Sequence, residues 1–186
     1  MSTNKLANLA SFNLANQSWV TTDEELRTVL KRCRYCSNCT NKGENIVSYE
    51  KLNTVKINKK TNNCIVINTA KSGSQSRLGH WICLFIGKTG QALLFDSLNT
   101  IYKSNPLVCS KIKSFCNKNN IKLQYLSIKT QSSNSLACGF HNIWFIHKTH
   151  RTNTKGLIRL EKILTNFSVK NREKFIICDV LKCFNF

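Results

Sequence analysis

The sequence predicts an α+β domain in which a small, mainly antiparallel sheet is packed with helices. Short apolar runs between turn residues indicate buried strands, and longer segments with apolar residues three and four positions apart indicate helices before and after them. The chain of 186 residues is 41% hydrophobic, contains one proline, and shows no repeat or low-complexity linker. We therefore predict a single domain over residues 1–186, large enough to bury a core.

The first predicted element is a helix over TTDEELRTVLKR, residues 21–32. Thr22 can accept a hydrogen bond from the first turn, and Glu25 follows three residues later, as in a capping box. The apolar stripe of this helix consists of Leu26, Val29 and Leu30.

Three buried strands are predicted next, with a polar loop after the first and the turn GKTG after the second. They cover CIVINTA (64–70), HWICLFIG (80–87) and QALLFDS (91–97). A helix, a strand and three further helices follow, at 104–119, 122–130, Cys138 to about His147, 157–167 and 172–184. The helix that begins at Cys138 is apolar on most sides, so we expect it to lie at the centre.

Charge is the strongest global feature, because 28 Lys and Arg oppose 9 Asp and Glu for a formal net charge of +19. Such a balance indicates a polyanionic partner, most often nucleic acid, although a Lys- and Asn-rich composition without such a partner is the alternative. No run is long enough to span a membrane and the N-terminus lacks a secretory pattern, so we expect no membrane contact. The ten cysteines are then expected to be reduced thiols.

One cysteine lies where a loop becomes a helix. In QSSNSLACGF, residues 131–140, Cys138 follows small polar residues and precedes the apolar run of the central helix. A cysteine that serves only the core would be expected inside that run. A nucleophilic cysteine must be a thiolate, and the N-H groups of a helix N-terminus favour an anion. Asn134 or Ser135 could cap this helix, and Cys138 is therefore a candidate nucleophile.

A thiol nucleophile needs an imidazole base, and the chain offers four histidines. Three of them, His141, His147 and His150, lie on or just beyond the helix of Cys138, and we expect surface or capping roles for them. His80 differs because it follows Gly79 at the start of a predicted strand, where a loop meets a rigid element. His80 is therefore the candidate base.

The predicted hairpin supplies a carboxylate for His80. If GKTG joins antiparallel strands, Asp96 lies across the hairpin from His80, within reach of the imidazole. The two side chains share a face only if the loop has an odd number of residues or a bulge, which Gly90 permits. Asp96 also ends an apolar strand, where an unpaired acid would be costly.

Gln131 lies seven residues before Cys138, on the approach to the helix. Its amide could join the backbone N-H of Cys138 in stabilising an oxyanion. Plain solvation of a loop glutamine is the alternative.

The order His, acid, Gln, Cys and the strings around these residues resemble the adenovirus protease (adenain) family of cysteine peptidases. The same clan contains SUMO- and ubiquitin-like-protein peptidases and poxvirus core-protein proteases. The similarity lies in CIVINTA through GHW, in LLFDS and in QSSNSLACGF, and it covers about 64 to 147. It implies an adenain-like fold with the catalytic cysteine at the N-terminus of a central helix.

By this resemblance Cys138 is the nucleophile, His80 the general base, Asp96 the residue that orients His80, and Gln131 an oxyanion donor. The adenovirus enzymes use glutamate as the acid, whereas aspartate is typical of the cellular branch of the clan. The implied activity is a viral cysteine endopeptidase that cleaves virion precursor and capsid proteins during maturation. The implied location is the host nucleus or cytoplasm and the virion, and the chemistry requires no cofactor.

The resemblance also implies two activators, viral DNA and a short capsid-derived peptide that is captured through a disulfide. The net charge agrees with DNA. For the peptide, residues 120–123 contain no cysteine where the family would place one, and Cys116 is the nearest thiol.

Two other functions compete with a virion endopeptidase. One is a deubiquitinase or deSUMOylase-like isopeptidase of the same clan. The other is a basic, zinc-containing nucleic-acid-binding protein, because Cys33, Cys36 and Cys39 are spaced three apart and Cys64 could be a fourth ligand. The run lacks a paired knuckle, so we favour buried or idle thiols and predict no metal.

Overall fold

The computed structural model describes residues 22–70, 79–150, 152 and 154–183. Residue 21 of the first predicted helix, residues 71–78 of the predicted loop and residue 184 of the last predicted helix lie outside the described residues. Within the described part, no helix is both long enough and apolar enough to cross a lipid bilayer.

The described chain forms seven α-helices, five strands and one 3-10 helix. The helices are α1 (Asp23–Arg32), α2 (Arg34–Cys39), α3 (Ile101–Ser104), α4 (Pro106–Lys118), α5 (Cys138–His150), α6 (Thr154–Thr165) and α7 (Val169–Cys183). The strands are β1 (Ile46–Ser48), β2 (Asn63–Asn68), β3 (Trp81–Ile86), β4 (Gln91–Phe95) and β5 (Lys122–Tyr125), and the 3-10 helix is Tyr49–Thr54.

Most predicted elements are present, although their ends differ. The capping box at Thr22 and Glu25 is confirmed, since each side chain bonds the backbone N-H of the other residue. The predicted strand 122–130 ends at Tyr125, and the central helix continues beyond His147 to His150. Sequence reasoning missed α2, α3, β1 and the 3-10 helix, because elements of three to six residues are too short to show a clear period.

The α+β class is confirmed, but the sheet is mixed rather than mainly antiparallel. Its strand order is β1-β2-β3-β4-β5, and the two edge pairs, β1 with β2 and β4 with β5, are parallel. Only the central pairs, β2 with β3 and β3 with β4, are antiparallel. The edge pairs are parallel because helical connections, the 3-10 helix on one side and α3 with α4 on the other, return the chain to its starting end.

The hairpin between β3 and β4 has the odd loop that a His80–Asp96 pair on one face requires. Gly87 N-H donates to the Gln91 carbonyl at 2.8 Å, which leaves three residues in the loop. Gly90 has a φ of +75°, a left-handed conformation that favours glycine. The resulting register pairs Cys83 with Phe95.

Helices cover both faces of the sheet and create two cores. On one face, α5 packs against β3, and the rings of Phe95 and Phe145 stack with centroids 4.6 Å apart. On the other face, α4 and the 3-10 helix cover Ile82, Leu84 and Leu94. Helices α1, α2 and α7 pack around α5, so the helix that begins at Cys138 is central, as predicted.

Candidate active site

Cys138 is the first residue of α5, and it is buried with 8% of its surface exposed. Neither Asn134 nor Ser135 occupies the capping position, because the residue before the helix is Ala137. The Ser135 hydroxyl instead accepts a hydrogen bond from Ala137 N-H at 3.2 Å. The thiol therefore lies at the helix N-terminus, where the first backbone N-H groups have no partner within the helix.

His80 is held in place by its backbone, just before β3. Its N-H donates to the Thr69 hydroxyl at 3.0 Å, and its carbonyl accepts from Thr69 N-H at 3.0 Å. The preceding Gly79 lies against the chain after β2, since a Cβ there would be 1.7 Å from Asn68 Oδ1 and 2.7 Å from Ala70 Cβ. Glycine therefore allows the close approach that places His80 at the site.

Asp96 holds the His80 ring. The Nε2 atom of His80 donates to Asp96 Oδ1 at 2.6 Å. The same carboxylate accepts backbone N-H bonds from Leu98 at 3.0 Å, Thr100 at 2.7 Å and Ile101 at 2.8 Å. Burial raises the pKa of Asp96, but His80 and the N-H groups of Ile101 and Thr100 outweigh it and hold the pKa below its ordinary value. Asp96 is therefore a fixed carboxylate.

The environment of His80 favours the imidazolium. Burial lowers the pKa of His80, but hydrogen bonds to Asp96 and Cys138 outweigh burial and raise this pKa from 6.5 to about 9. Because Nε2 donates its hydrogen bond to Asp96, Nδ1 is the ring nitrogen left to bond the Cys138 sulfur. A cation beside the sulfur stabilises a thiolate. The three residues thus form a Cys-His-Asp arrangement.

Asn142 ties the cysteine helix to the strand of His80. Its Nδ2 donates to the Cys138 carbonyl at 2.7 Å and to the Trp81 carbonyl at 2.9 Å, and the side chain is completely buried. Trp81 directly follows His80, so Asn142 sets the spacing between Cys138 and His80. Sequence reasoning missed Asn142, although a polar residue four positions after Cys138 in an apolar helix was a signal.

Gln131 is buried beside the acid loop and is not a solvated loop residue, with 1% of its surface exposed. Its Oε1 accepts from the Ser97 hydroxyl at 2.6 Å, and its Nε2 donates to the Ser135 carbonyl at 2.6 Å. The Nε2 carries a second hydrogen that this bond does not use. Ser97 follows Asp96, so the carboxylate loop and the Gln131 loop are joined. Ser97 was not predicted from the sequence.

The predicted surface or capping role of His141 is wrong, because His141 is fully buried. Its Nδ1 lies 2.9 Å from the Thr130 hydroxyl, and its Nε2 lies 3.7 Å from Glu173 Oε1. Burial lowers the pKa of His141 despite Glu173, so the ring is neutral at pH 7. Glu173 also accepts from Ser132 N-H at 3.4 Å, which connects α7 to the loop that carries Gln131.

The two remaining histidines lie away from this site. His147 is half-buried near the C-terminal end of α5, nine residues after Cys138, and His150 ends that helix. The structure therefore brings together the four predicted residues His80, Asp96, Gln131 and Cys138. It adds Ser97 and Asn142 as direct supports.

No protein family, no curated protein and no solved structure matches this chain. A thiol at a helix N-terminus, a base oriented by a buried carboxylate, and amide donors nearby suit nucleophilic attack on a carbonyl carbon.

Proposed function

We propose that this chain is a cysteine endopeptidase of the adenovirus-protease type that cleaves virion precursor proteins. The observation that carries the proposal is the alignment of Cys138, His80 and Asp96 at the N-terminus of the central helix. The order of these residues in the chain and the fairly specific string QSSNSLACGF support the family assignment.

The geometry supports acyl transfer through a thioester. The Cys138 sulfur attacks the peptide carbonyl carbon, and the carbonyl electron pair moves to oxygen as a tetrahedral oxyanion forms. The backbone N-H of Cys138 and the Nε2 of Gln131 are the donors for that oxyanion. When the C–N bond breaks, the His80 imidazolium gives its proton to the leaving amine.

Hydrolysis of the thioester then restores the enzyme. Neutral His80 takes a proton from a water molecule, and the hydroxide formed attacks the thioester carbonyl. The second tetrahedral intermediate breaks its C–S bond, which releases the carboxyl product and the Cys138 thiolate beside protonated His80. Asp96 stabilises the imidazolium in both half-reactions.

DNA is the proposed activator because lysines that contribute to the net charge of +19 are exposed on the described surface. Lysines are exposed along α4 and at the start of β5, at Lys111, Lys113, Lys118 and Lys122. A second group, at Lys51, Lys56, Lys59 and Lys60, is also exposed. Binding through phosphate contacts would place the enzyme on a viral genome with little sequence preference.

A capsid-derived peptide is the second proposed activator, but the burial of Cys116 argues against its capture through that thiol. Cys116 has 1% of its surface exposed, and burial raises the pKa of its thiol to about 11. A protonated, enclosed thiol is a poor partner for disulfide exchange.

An isopeptidase that acts on ubiquitin or a ubiquitin-like modifier is the second candidate. The observation that favours an isopeptidase is that the carboxylate beside His80 is an aspartate, Asp96, as is typical of the cellular branch of the clan. The reacting groups would be the same, and only the substrate would differ.

The test is a substrate panel with matched variants. Virion precursor proteins, ubiquitin and SUMO reporters and short Gly-containing peptides are incubated with the wild-type protein, Cys138→Ala, and Cys178→Ala as an exposed-thiol control. We expect cleavage of the precursors by the wild type and the control, and none by Cys138→Ala. Cleavage of only the modifier reporters would favour the isopeptidase. Retained activity in Cys138→Ala would exclude the whole mechanism.

A further inference from the structure

A second group of metal-ligating side chains lies at the other end of α5. The sulfur atoms of Cys33 and Cys36 and a ring nitrogen of His147 all lie within 4.8 Å of one another. Among the described residues, this trio, the Cys33–Cys36–His147 cluster, brings together three such donors. None of its members takes part in the chemistry proposed for Cys138.

The fold builds the cluster from two elements distant in sequence. Cys33 precedes α2 and Cys36 lies in its first turn, so the C-x-x-C spacing brings both sulfurs to one side. His147 comes from the last turns of α5, against which α2 packs. The Cys33 sulfur already accepts a hydrogen bond from Cys36 N-H at 3.4 Å. Hydrogen bonds of this kind to a ligand sulfur orient it and stabilise its thiolate form.

The spacing of the three ligand atoms is close to that of the ligands of a bound zinc ion. Zinc lies at about 2.3 Å from sulfur and about 2.0 Å from imidazole nitrogen, so neighbouring ligand atoms of a tetrahedron are roughly 3.5 to 3.8 Å apart. Because the three ligand atoms lie at most 4.8 Å apart, closing the site requires side-chain movement of at most about 1 Å. Cys33 and His147 are only half-buried, which leaves their side chains room to move.

We propose that Cys33, Cys36 and His147 bind one Zn²⁺ ion, with water or an exogenous ligand in the fourth position. Two thiolates and an imidazole are the ligands that zinc prefers over magnesium or calcium. The ion takes no part in the chemistry of Cys138, because His147 lies nine positions after Cys138 on α5, about 13 Å along the helix axis. It would fasten α2 to the end of the helix that carries the nucleophile.

The third cysteine of the CRYCSNC run does not belong to this site. The Cys39 sulfur donates to the Cys36 carbonyl at 3.3 Å and is buried towards Cys64. The proposed site thus differs from a ligand set drawn from the cysteine run with Cys64. Cys39→Ala separates the two, since it removes a thiol of the same run but none of the three proposed ligand atoms, although it also removes the bond to the Cys36 carbonyl.

The experiment is metal analysis of the full chain purified with a thiol reductant that does not chelate zinc. Bound zinc per chain is measured, and Co²⁺ is substituted to record the sulfur-to-cobalt charge-transfer bands and the intense visible bands of a tetrahedral site. We expect one ion per chain in the wild type and in Cys39→Ala. In Cys33→Ser and His147→Gln the affinity for Zn²⁺ should fall at least about 100-fold, since even outer-shell changes cost 10- to 100-fold.

Stability provides a readout independent of peptidase activity. A chelator should lower the Tm of the wild type and of Cys39→Ala but leave the Tm of Cys33→Ser unchanged, because only a bound ion stabilises the folded state. Circular dichroism establishes that each variant is folded. The proposal is overturned if the reduced wild type binds no stoichiometric zinc, or if Cys39→Ala loses zinc as completely as Cys33→Ser. Either result leaves the peptidase proposal untouched.

Discussion

The Nε2 atom of His80 lies 2.6 Å from Asp96 Oδ1, although the two residues are not partners in the sheet. The register that pairs Cys83 with Phe95 would set Asp96 opposite Ile82, two residues from His80. The contact is therefore diagonal, and it forms because both residues lie just beyond the ends of their strands. Three backbone N-H groups hold the Asp96 carboxylate from the other side, so this diagonal is fixed.

The two members of this pair should differ in their effect on catalysis. His80→Ala removes the proton donor and acceptor, and we expect kcat to fall by about 10²- to 10⁴-fold. Asp96→Asn should retain more activity, because an amide oxygen can still accept from the ring. It should also lower the free energy of unfolding by about 1–3 kcal/mol, since its NH₂ group cannot accept the N-H bonds of Thr100 and Ile101. Peptide cleavage and urea unfolding measure the two effects, and equal rates for both variants would contradict this order.

Stability should depend on pH through His80. The pKa of His80 is raised in the folded protein to about 9 from 6.5. Its contribution is therefore fully present below pH 6.5 and is lost as pH rises through about 9, with an upper limit of about 3 kcal/mol. The difference in Tm between the wild type and His80→Ala should shrink over that window. A difference that grew with pH would show that the ring is neutral in the folded state.

Asn142 should act as a positioning residue. Asn142→Ala removes the bonds to the Cys138 and Trp81 carbonyls, so we expect kcat to fall with little change in KM. The pH profile of Cys138 alkylation should also shift, because the sulfur and the His80 ring are no longer held at a fixed spacing. Ile146→Val is the matched control, a buried change on the same helix that costs about 1 kcal/mol. If the alkylation profile of Asn142→Ala were unchanged, Asn142 would have only a structural role.

The oxyanion role of Gln131 can be separated from its place in the loop. Gln131→Ala should lower kcat by about 10²- to 10³-fold, as expected for the loss of one oxyanion donor. Ser97→Ala removes only the hydroxyl that fixes Gln131 Oε1, so its loss should be smaller. Both rates are measured at saturating peptide. Equal losses would indicate that the Ser97 bond, and not the amide donor, is what the site requires.

Duplex DNA should bind this protein and raise its peptidase rate. Lys and Arg that neutralise phosphates release counterions, so affinity should fall steeply with salt, with a log–log slope of about −0.9 per phosphate contact. Peptide cleavage is followed against DNA concentration at low and at physiological salt. Tight binding without a change in rate would show that DNA localises the protein but does not activate it. No binding at low salt would show that the positive charge reflects amino-acid composition and not a DNA-binding function.

Local pattern was sufficient to single out His80, Asp96 and Cys138 as candidates, because each stands where an apolar element begins or ends. Gln131 was singled out by its spacing from Cys138 and by the resemblance. The sequence left the parity of the β3–β4 hairpin open, since Gly90 permits an odd loop but does not require one. Helix α2 and strand β1 could not be predicted, because three to six residues carry no measurable period. The parallel pairing of β1 with β2 and of β4 with β5 could not be predicted for another reason. It depends on how the helical connections pack, and no single segment of the sequence determines that packing.

The supports of the site required the folded chain. Glu173 meets His141 across 32 positions, Ser97 meets Gln131 across 34, and Asn142 meets Trp81 across 61. Buried polar side chains of this kind are stable only where a distant segment supplies a hydrogen-bond partner, and that partner is chosen by packing. The same holds for Cys33, Cys36 and His147: their ligand chemistry is visible in the amino acids, but their convergence follows from the packing of α2 on α5.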